Sequence, residues 1–520
     1  MTNYDLYMKI LKKELPVGES FDVLERKLVV GGRAVSMFFV DGLTDGEKAQ
    51  HILSHLMRVP AAALDGVHTS QQFIEKVLPF LDTTLIKAKK EGSAADQAWD
   101  CYQQALPRLY AGLVLLAAEG LDNLIVIDCR SYPGRSVEEP DKEKSLRGAK
   151  DGFTENMMDN VSLIRRRIRD NNLIFKVYNV GSVSKADVVV AYMNDRADMK
   201  LVKKLDSVLQ VMAHTAIEDS TNFDTQQSSQ QPPNRKQRKN SGTSTNHDNE
   251  ETGKEILSVA DQSLLERLLQ ALGAANGLNP FPKVRYSQRP DVVAAHIAEG
   301  KTAIIVDNSP TVMLIPVSIF EFFQDVDDYY FPQLTGNYFR LIRIVNFLVI
   351  LFLTPVYFLI TEYEHLTPEV LQFFVPEEDF AIPIFWQFIL LEIAVDALKI
   401  ASLNTPTSLG MSLSVIGALI LGEFSIKSGW FIAQTILCMA VVALAAFTQP
   451  SIELSYAMKF CRIFILTGAA IAGIPGAIGA TVISLIIMAS TKTISGGRYL
   501  YPLIPFNWKA LKRLIFRTQK

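Results

Sequence analysis

Three stretches of the 520-residue chain, 344–361, 428–452 and 463–491, contain no Asp, Glu, Lys or Arg and are rich in Leu, Ile, Val, Phe and Ala. Each is long enough to cross a bilayer, because about 20 apolar helical residues span a hydrocarbon core of about 30 Å. A purely soluble protein is excluded first. At 520 residues the chain exceeds one ordinary domain, and its formal charge of −3 carries no whole-chain basic bias, so no nucleic-acid partner is expected.

The four cysteines, Cys101, Cys129, Cys438 and Cys461, fall in no CxxC or Cys/His spacing, which argues against a disulfide framework or a zinc ribbon. The N-terminus lacks the basic start, apolar core and small-residue cleavage site of a signal peptide. About 340 residues precede the first apolar span, and these are expected to stay in the cytoplasm.

The expected fold class is a cytoplasmic mixed α/β domain of two subdomains followed by an α-helical polytopic membrane domain. Residues 1–218 read as the first α/β subdomain, with β-rich runs at 28–40, 124–129, 173–180 and 187–192 and helical periodicity over 160–169. Residues 219–255 hold almost no apolar side chain, cannot offset the entropy of ordering, and read as a disordered insert. A second α/β subdomain over 256–338 begins with a helix-like stretch at 263–272 and includes a helix over 291–298 and strands at 302–306 and 312–316. The membrane domain is placed at 339–490 and a basic cytoplasmic tail at 491–520.

The connection 361–380 carries six acids and no base, whereas 490–520 carries seven bases and no acid, so the basic-inside bias puts the tail in the cytoplasm. With both ends inside, the number of crossings is even. The candidates are 342–361, 381–401, 428–448 and 464–489. The remaining apolar piece, 409–422, has 14 residues and suits a re-entrant or short half-helix.

Glu392, Asp396 and Lys399 interrupt the second of these spans, and at 100° per residue they fall at about 0°, 40° and −20° on one narrow face. A charge at mid-bilayer costs at least about 2.5 to 3.5 kcal/mol, so that face must meet protein or water, as an ion path does. The alternative is an intrahelical cluster that anchors the bundle. Glu423 and Lys427 repeat the acid-then-base spacing after the short piece, as lining of a cavity or as an ordinary charged connection. The Gly- and Ala-rich run 468–480 reads as close helix packing.

No Walker loop, GxGxxG, GxSxG or HExxH occurs, and no enzyme, cofactor or metal is expected. His51 and His55 share a helix face without a nearby third ligand. The bases Arg165, Arg166, Arg167 and Arg169 read as a helical face that is solvated or paired with acids.

One stretch is long enough to carry a family resemblance: Arg135, Glu138, Glu139, Pro140, Glu143, Arg147, Gly148, Gly152, Phe153, Glu155, Asn160 and the run Leu163 to Ile168. With Pro280-Phe281-Pro282, Arg289-Pro290-Asp291, Ile304 to Asp307 and Asp327 to Tyr330 it resembles the A-subunit family of bacterial spore germination receptors, the GerA type. Nutrient-receptor members tend to carry an Arg-Glu pair and a further Arg ahead of the proline aligned with Pro406. Here those places read Lys399-Ile400 and Asn404, which is similar to the stage V sporulation protein AF branch.

The resemblance implies a protein of the inner spore membrane, multi-pass with both termini on the core side, forming an oligomeric channel that releases cations during germination. Implied partners are membrane lipid, other copies of the chain and other germination membrane proteins. An A subunit of a nutrient receptor, a secondary transporter and a membrane scaffold are the competing readings.

Overall fold

The structure, a computed structural model, describes residues 3–89, 92–132, 148–181, 185–213, 279–325, 327–366, 372, 375–376, 380–404 and 425–515. The insert 219–255, the helix-like 263–272 and the short piece 409–422 lie outside the described residues. The chain divides into two compact units, one of Met1–Lys144, Ala149–Ala275 and Tyr286–Pro316, the other of Ser145–Gly148, Asn276–Arg285 and Val317–Lys520.

The first unit is built on two five-stranded sheets. In the first, β1 (Val23–Val30), β2 (Arg33–Val40), β3 (Thr83–Ile86), β4 (Val114–Ala118) and β5 (Leu124–Ile127) take the antiparallel order β1-β2-β4-β5-β3. The run 28–40, which reads as one β stretch, is a hairpin, because Gly31 and Gly32 take φ of 52° and 83° and form a tight turn whose twist matches that of the flanking strands. Alternation along β2 sends Phe38 to one face and Met37 to the other. Helices α1 (Asn3–Glu14) and α4 (Ala94–Leu109) cover the Phe38 face, while α2 (Gly46–Met57) and α3 (Ser70–Val77) cover the Met37 face.

The second sheet has the order β6-β7-β9-β10-β8, from β6 (Leu173–Val180), β7 (Ala186–Met193), β8 (Arg285–Ser287), β9 (Thr302–Val306) and β10 (Val312–Ile315). Helices α5 (Met157–Arg167) and α7 (Pro290–Ala298) pack on it through Val161, Ile164, Val293 and Ile297, and α6 (Met199–Ala213) lies beside β6. Strands from before and after the polar insert therefore share one sheet, with Val188 opposite Val306 and Ala191 opposite Ala303. The expected division into 1–218 and 256–338 does not follow the sheets. The inner edge of β7 is fully buried, its backbone groups need a partner, and β9 supplies it.

The second unit is helical. Its elements are α8 (Gln333–Glu362), α9 (Ile384–Asn404), α10 (Ala433–Phe447), α11 (Ile452–Ser490) and α12 (Trp508–Ile515). By length and composition α8 and α11 are each apolar enough to cross a membrane, and α10 is a shorter apolar helix. Side-chain bonds set the helix directions. Gln387 near the start of α9 accepts from the Ile432 amide at 3.1 Å and from Thr435 Oγ1 at 2.8 Å, so α9 and α10 start at the same level and run parallel. Asn346 of α8 donates to Thr448 at 2.8 Å, which makes α8 antiparallel to α10.

The expected span 464–489 is not one continuous helix. At Gly473 the chain takes φ 62° and ψ −141°, outside helical values, and α11 folds into a hairpin of legs 452–472 and 474–490. The legs touch closely: a Cβ placed on Gly468 would stand 2.7 Å from the Gly476 carbonyl oxygen, and Cys461 lies beside Ser484. Residues eight apart would lie about 12 Å apart along one continuous helix. The small side chains of 468–480 serve this contact, and Pro475 follows the break, where its missing N–H costs least. Beyond α11, Thr491 accepts from Asn279 at 2.7 Å and Tyr499 packs on Phe281 with ring centroids 6.3 Å apart.

Candidate functional site

The charged face of α9 is met by the first leg of α11. Glu392, 5% exposed, accepts at Oε1 from Arg462 Nε at 2.8 Å and also from the second terminal nitrogen of the guanidinium, and Arg462 is itself 4% exposed. Arg462 Nη1 donates to the Ile350 carbonyl at 2.8 Å, so one guanidinium ties α8, α9 and α11 together. Lys459 sits 3.3 Å from Glu392 Oε2, donates to the Glu392 main-chain oxygen at 3.2 Å and pairs with Asp396 Oδ2. Asp396 Oδ1 is buried with no hydrogen-bond partner among the described residues. Lys399 lies over the rings of Phe447 and Tyr456, 5.4 Å and 5.5 Å from their centroids.

Glu392, Asp396 and Lys399 thus share one face, as their spacing requires, and they line a small cleft of ≈ 30 Å³ with Met439, Val442 and Tyr456. Lys459 and Arg462 were not singled out from the sequence, because the apolar span was taken to begin at 464. Their signal was available: two bases at i, i+3 fall about 60° apart on a helix, on the face that can meet two acids at i, i+4. Counting all five groups, two acids stand against three bases, a local charge of +1 in place of the net negative face that α9 alone presents. Glu423 lies outside the described residues, and Lys427 is exposed on the turn Ser425–Lys427, away from the residues that line the cleft.

A second buried ionic group stands where α8 begins. Asp328, fully buried, holds Arg343 Nη1 at 2.6 Å and 2.7 Å with its two oxygens and Arg340 Nε at 3.3 Å, while Arg343 also reaches Asp325 at 3.3 Å.

The signature residues that are described pack as locks in the fold. Arg165, 0% exposed, donates from Nε to Asp22 Oδ2 at 2.7 Å and from Nη2 to Asp22 Oδ1 at 3.0 Å, between the rings of Tyr110 and Phe175. This pair joins the two sheets of the first unit, and burial pushes the Tyr110 phenol well above its usual range. Arg167 pairs with Asp151, and Arg166 lies over Tyr132 at 4.5 Å. Asn160 closes the turn ahead of α5, accepting from the Thr154 amide at 2.8 Å and donating to its carbonyl at 2.6 Å. Phe153 is buried and donates its amide to the Gln288 carbonyl at 2.9 Å, Gly152 is buried beside it, and Gly148 takes φ 106° against the Tyr330 ring. Arg135, Glu138, Glu139, Pro140 and Arg147 lie outside the described residues.

Among the described residues no group of three His, Cys, Asp or Glu is placed to hold a metal ion. His55 bonds the Val77 carbonyl at 2.8 Å and packs edge-on to Phe80. Burial pushes the Cys101 thiol up and that of Cys129 to about 11, so both are protonated, inert thiols at neutral pH.

An α/β unit of two sheets and a helical unit that carries five clustered charges, Glu392 and Arg462 of them buried, describe the class of protein. The chain belongs to the Bacillus/Clostridium GerA spore germination protein family, whose profile matches residues 9–231 and 254–520. It is 32% identical over 510 residues to stage V sporulation protein AF of Bacillus subtilis (strain 168), covering 98% of this chain and 91% of that protein. It is 26% identical over 513 residues to spore germination protein KA of the same organism, covering 98% and 83% respectively. The crystal structure of the N-terminal domain of the A subunit of the Bacillus megaterium spore germinant receptor GerK3 matches 59% of this chain and 91% of its own, at 19% identity and a TM-score of 0.35.

Proposed function

We propose that this chain is a multi-pass protein of the inner spore membrane and a subunit of an oligomeric channel that releases cations during germination. The observation that carries the reading is the Glu392, Asp396, Lys459 and Arg462 cluster, in which the incompletely paired Asp396 carboxylate, and not the net charge of +1 reached with Lys399, is the group that would meet a cation. Four ionised side chains inside a helical unit of apolar composition are costly unless paired, and in membranes such groups mark ion paths. Asp396 supports the path most directly, since one of its oxygens has no hydrogen-bond partner among the described residues and its side chain lines the cleft.

The helix directions support more passes than the four expected. On this reading α8, α9, α10 and the two legs of α11 are five passes among the described residues, with α9 and α10 running the same way. The start of α8 and the tail after α11 then share one side, the spore-core side by the tail's seven bases and no acid. The reading assigns transport and no catalytic step. Its partners are lipid, further copies of the chain and other germination membrane proteins.

Asp396→Asn is the sharpest test, because Glu392 keeps Lys459 paired while the cleft loses one negative charge. Spores carrying it are expected to release cations several-fold more slowly with unchanged amounts of the protein in the membrane. Unchanged release kinetics and ion selectivity would make the cluster a structural anchor and place the path elsewhere. A second reading, an A subunit of a nutrient receptor, draws support from the germination proteins among the relatives, and predicts that deleting the gene abolishes the response to one nutrient while sparing others.

A further inference from the structure

After the hairpin of α11 the chain presents an apolar, aromatic and basic surface that the proposed conduit does not use. Tyr501, Leu503, Ile504, Phe506 and Trp508 are all exposed, the last two by 66% and 63%, and their rings stack with centroids 6.3 Å apart. Trp508 opens α12, whose Leu511 is buried while Lys509 and Lys512 are exposed. At 100° per residue Leu511 lies about 60° to one side of Trp508, and Lys512 and Lys509 lie about 40° and 100° to the other. The helix is thus split lengthwise, with Trp508 at the border between a buried apolar edge and a basic edge. Lys492 and Arg498, exposed nearby in the chain, add two more charges of the same sign, and no acid occurs anywhere in 490–520.

We infer that residues 501–512 form an interfacial site for anionic phospholipid, with Phe506 and Trp508 seated at the headgroup level and Lys509 and Lys512 on the phosphates. The indole of Trp508, with one polar edge, belongs at the bilayer interface, the stacked Phe506 ring adds apolar area there, and bases next to an anionic leaflet each add about 1 kcal/mol, or roughly fivefold in affinity. A protein partner for this surface would need acids to meet four bases; a leaflet of anionic headgroups supplies them continuously. The site also follows at once from a membrane leg: α11 ends at Ser490, and the chain from Lys492 onward is where headgroups begin if that leg spans.

This inference rests on the membrane reading, and the test separates the two. Full-length protein is reconstituted in phosphatidylcholine vesicles with or without phosphatidylglycerol, the lipids brominated near the headgroup, and quenching is compared with that of Trp508→Phe. The expected result is shallow quenching assigned to Trp508, stronger with phosphatidylglycerol. In Lys509→Gln/Lys512→Gln the number of phosphatidylglycerol molecules retained through detergent purification should fall, roughly fivefold in affinity per base. Trp386 and Trp430, 56% and 59% exposed, serve as the reference within the helical unit. Quenching of those two with none at Trp508 overturns the interfacial site and leaves the membrane reading standing. If no tryptophan is quenched, both fail. Shielding of Trp508 from aqueous acrylamide without bromine quenching would mean a protein covers it, and the lipid site falls.

Discussion

Gly473→Ala is expected to destabilise the helical unit by about 3 kcal/mol or more and to strip most of the protein from the membrane. At φ 62° and ψ −141° the residue sits in a region that only glycine enters freely, and a Cβ there would collide with the Tyr363 hydroxyl. Both effects act at the point where α11 reverses, so relief of one leaves the other. Tyr363→Ala combined with Gly473→Ala should recover only part of the loss. Gly479→Ala is the internal control, because a Cβ there meets nothing within 4 Å and the position lies in a helical leg. It should be neutral or slightly stabilising, by about 0.5 to 1 kcal/mol. The measurement is the thermal midpoint and gel-filtration profile of the detergent-purified full chain. Equal midpoints for the Gly473 and Gly479 variants would refute the hairpin.

Arg165→Met should lower the stability of the first unit by about 3 to 5 kcal/mol, since it leaves the Asp22 carboxylate fully buried without its cation. Asp22→Leu should cost a similar amount by stranding Arg165 between Tyr110 and Phe175. Arg165→Met with Asp22→Leu is expected to regain much of the loss, because a buried pair replaced by apolar groups of similar volume is often close to neutral. Urea unfolding of the full chain, followed by near-ultraviolet circular dichroism, reads the three variants. Additive losses in the double variant would show that the two side chains act separately and that the sheets are joined by other contacts.

The helical unit was largely legible as segments. Absence of charge marked α8, α10 and the second leg of α11, because apolar runs of that length have few other uses. The shared face of Glu392, Asp396 and Lys399 followed from helix geometry alone. The reversal at Gly473 was not legible, because glycine in an apolar run is equally compatible with close helix packing and with a turn. The non-helical backbone of Gly473 and the contact of Gly468 with Gly476 distinguish the two.

What the sequence by itself determined about this protein is local or cumulative: charge-free runs, periodicities, a shared face on one helix, and a string of motifs long enough to assign the family. What only the tertiary structure decided is who meets whom. Asp22 and Arg165 are separated by 143 residues, Asp396 and Lys459 by 63, and β7 pairs with β9 across the whole polar insert. Closing such long loops adds little entropy beyond that of shorter ones, so chain separation scarcely biases the choice of partner. The choice is made by burial, where a charge or a backbone edge left unmatched costs several kcal/mol and one geometry satisfies all of them together.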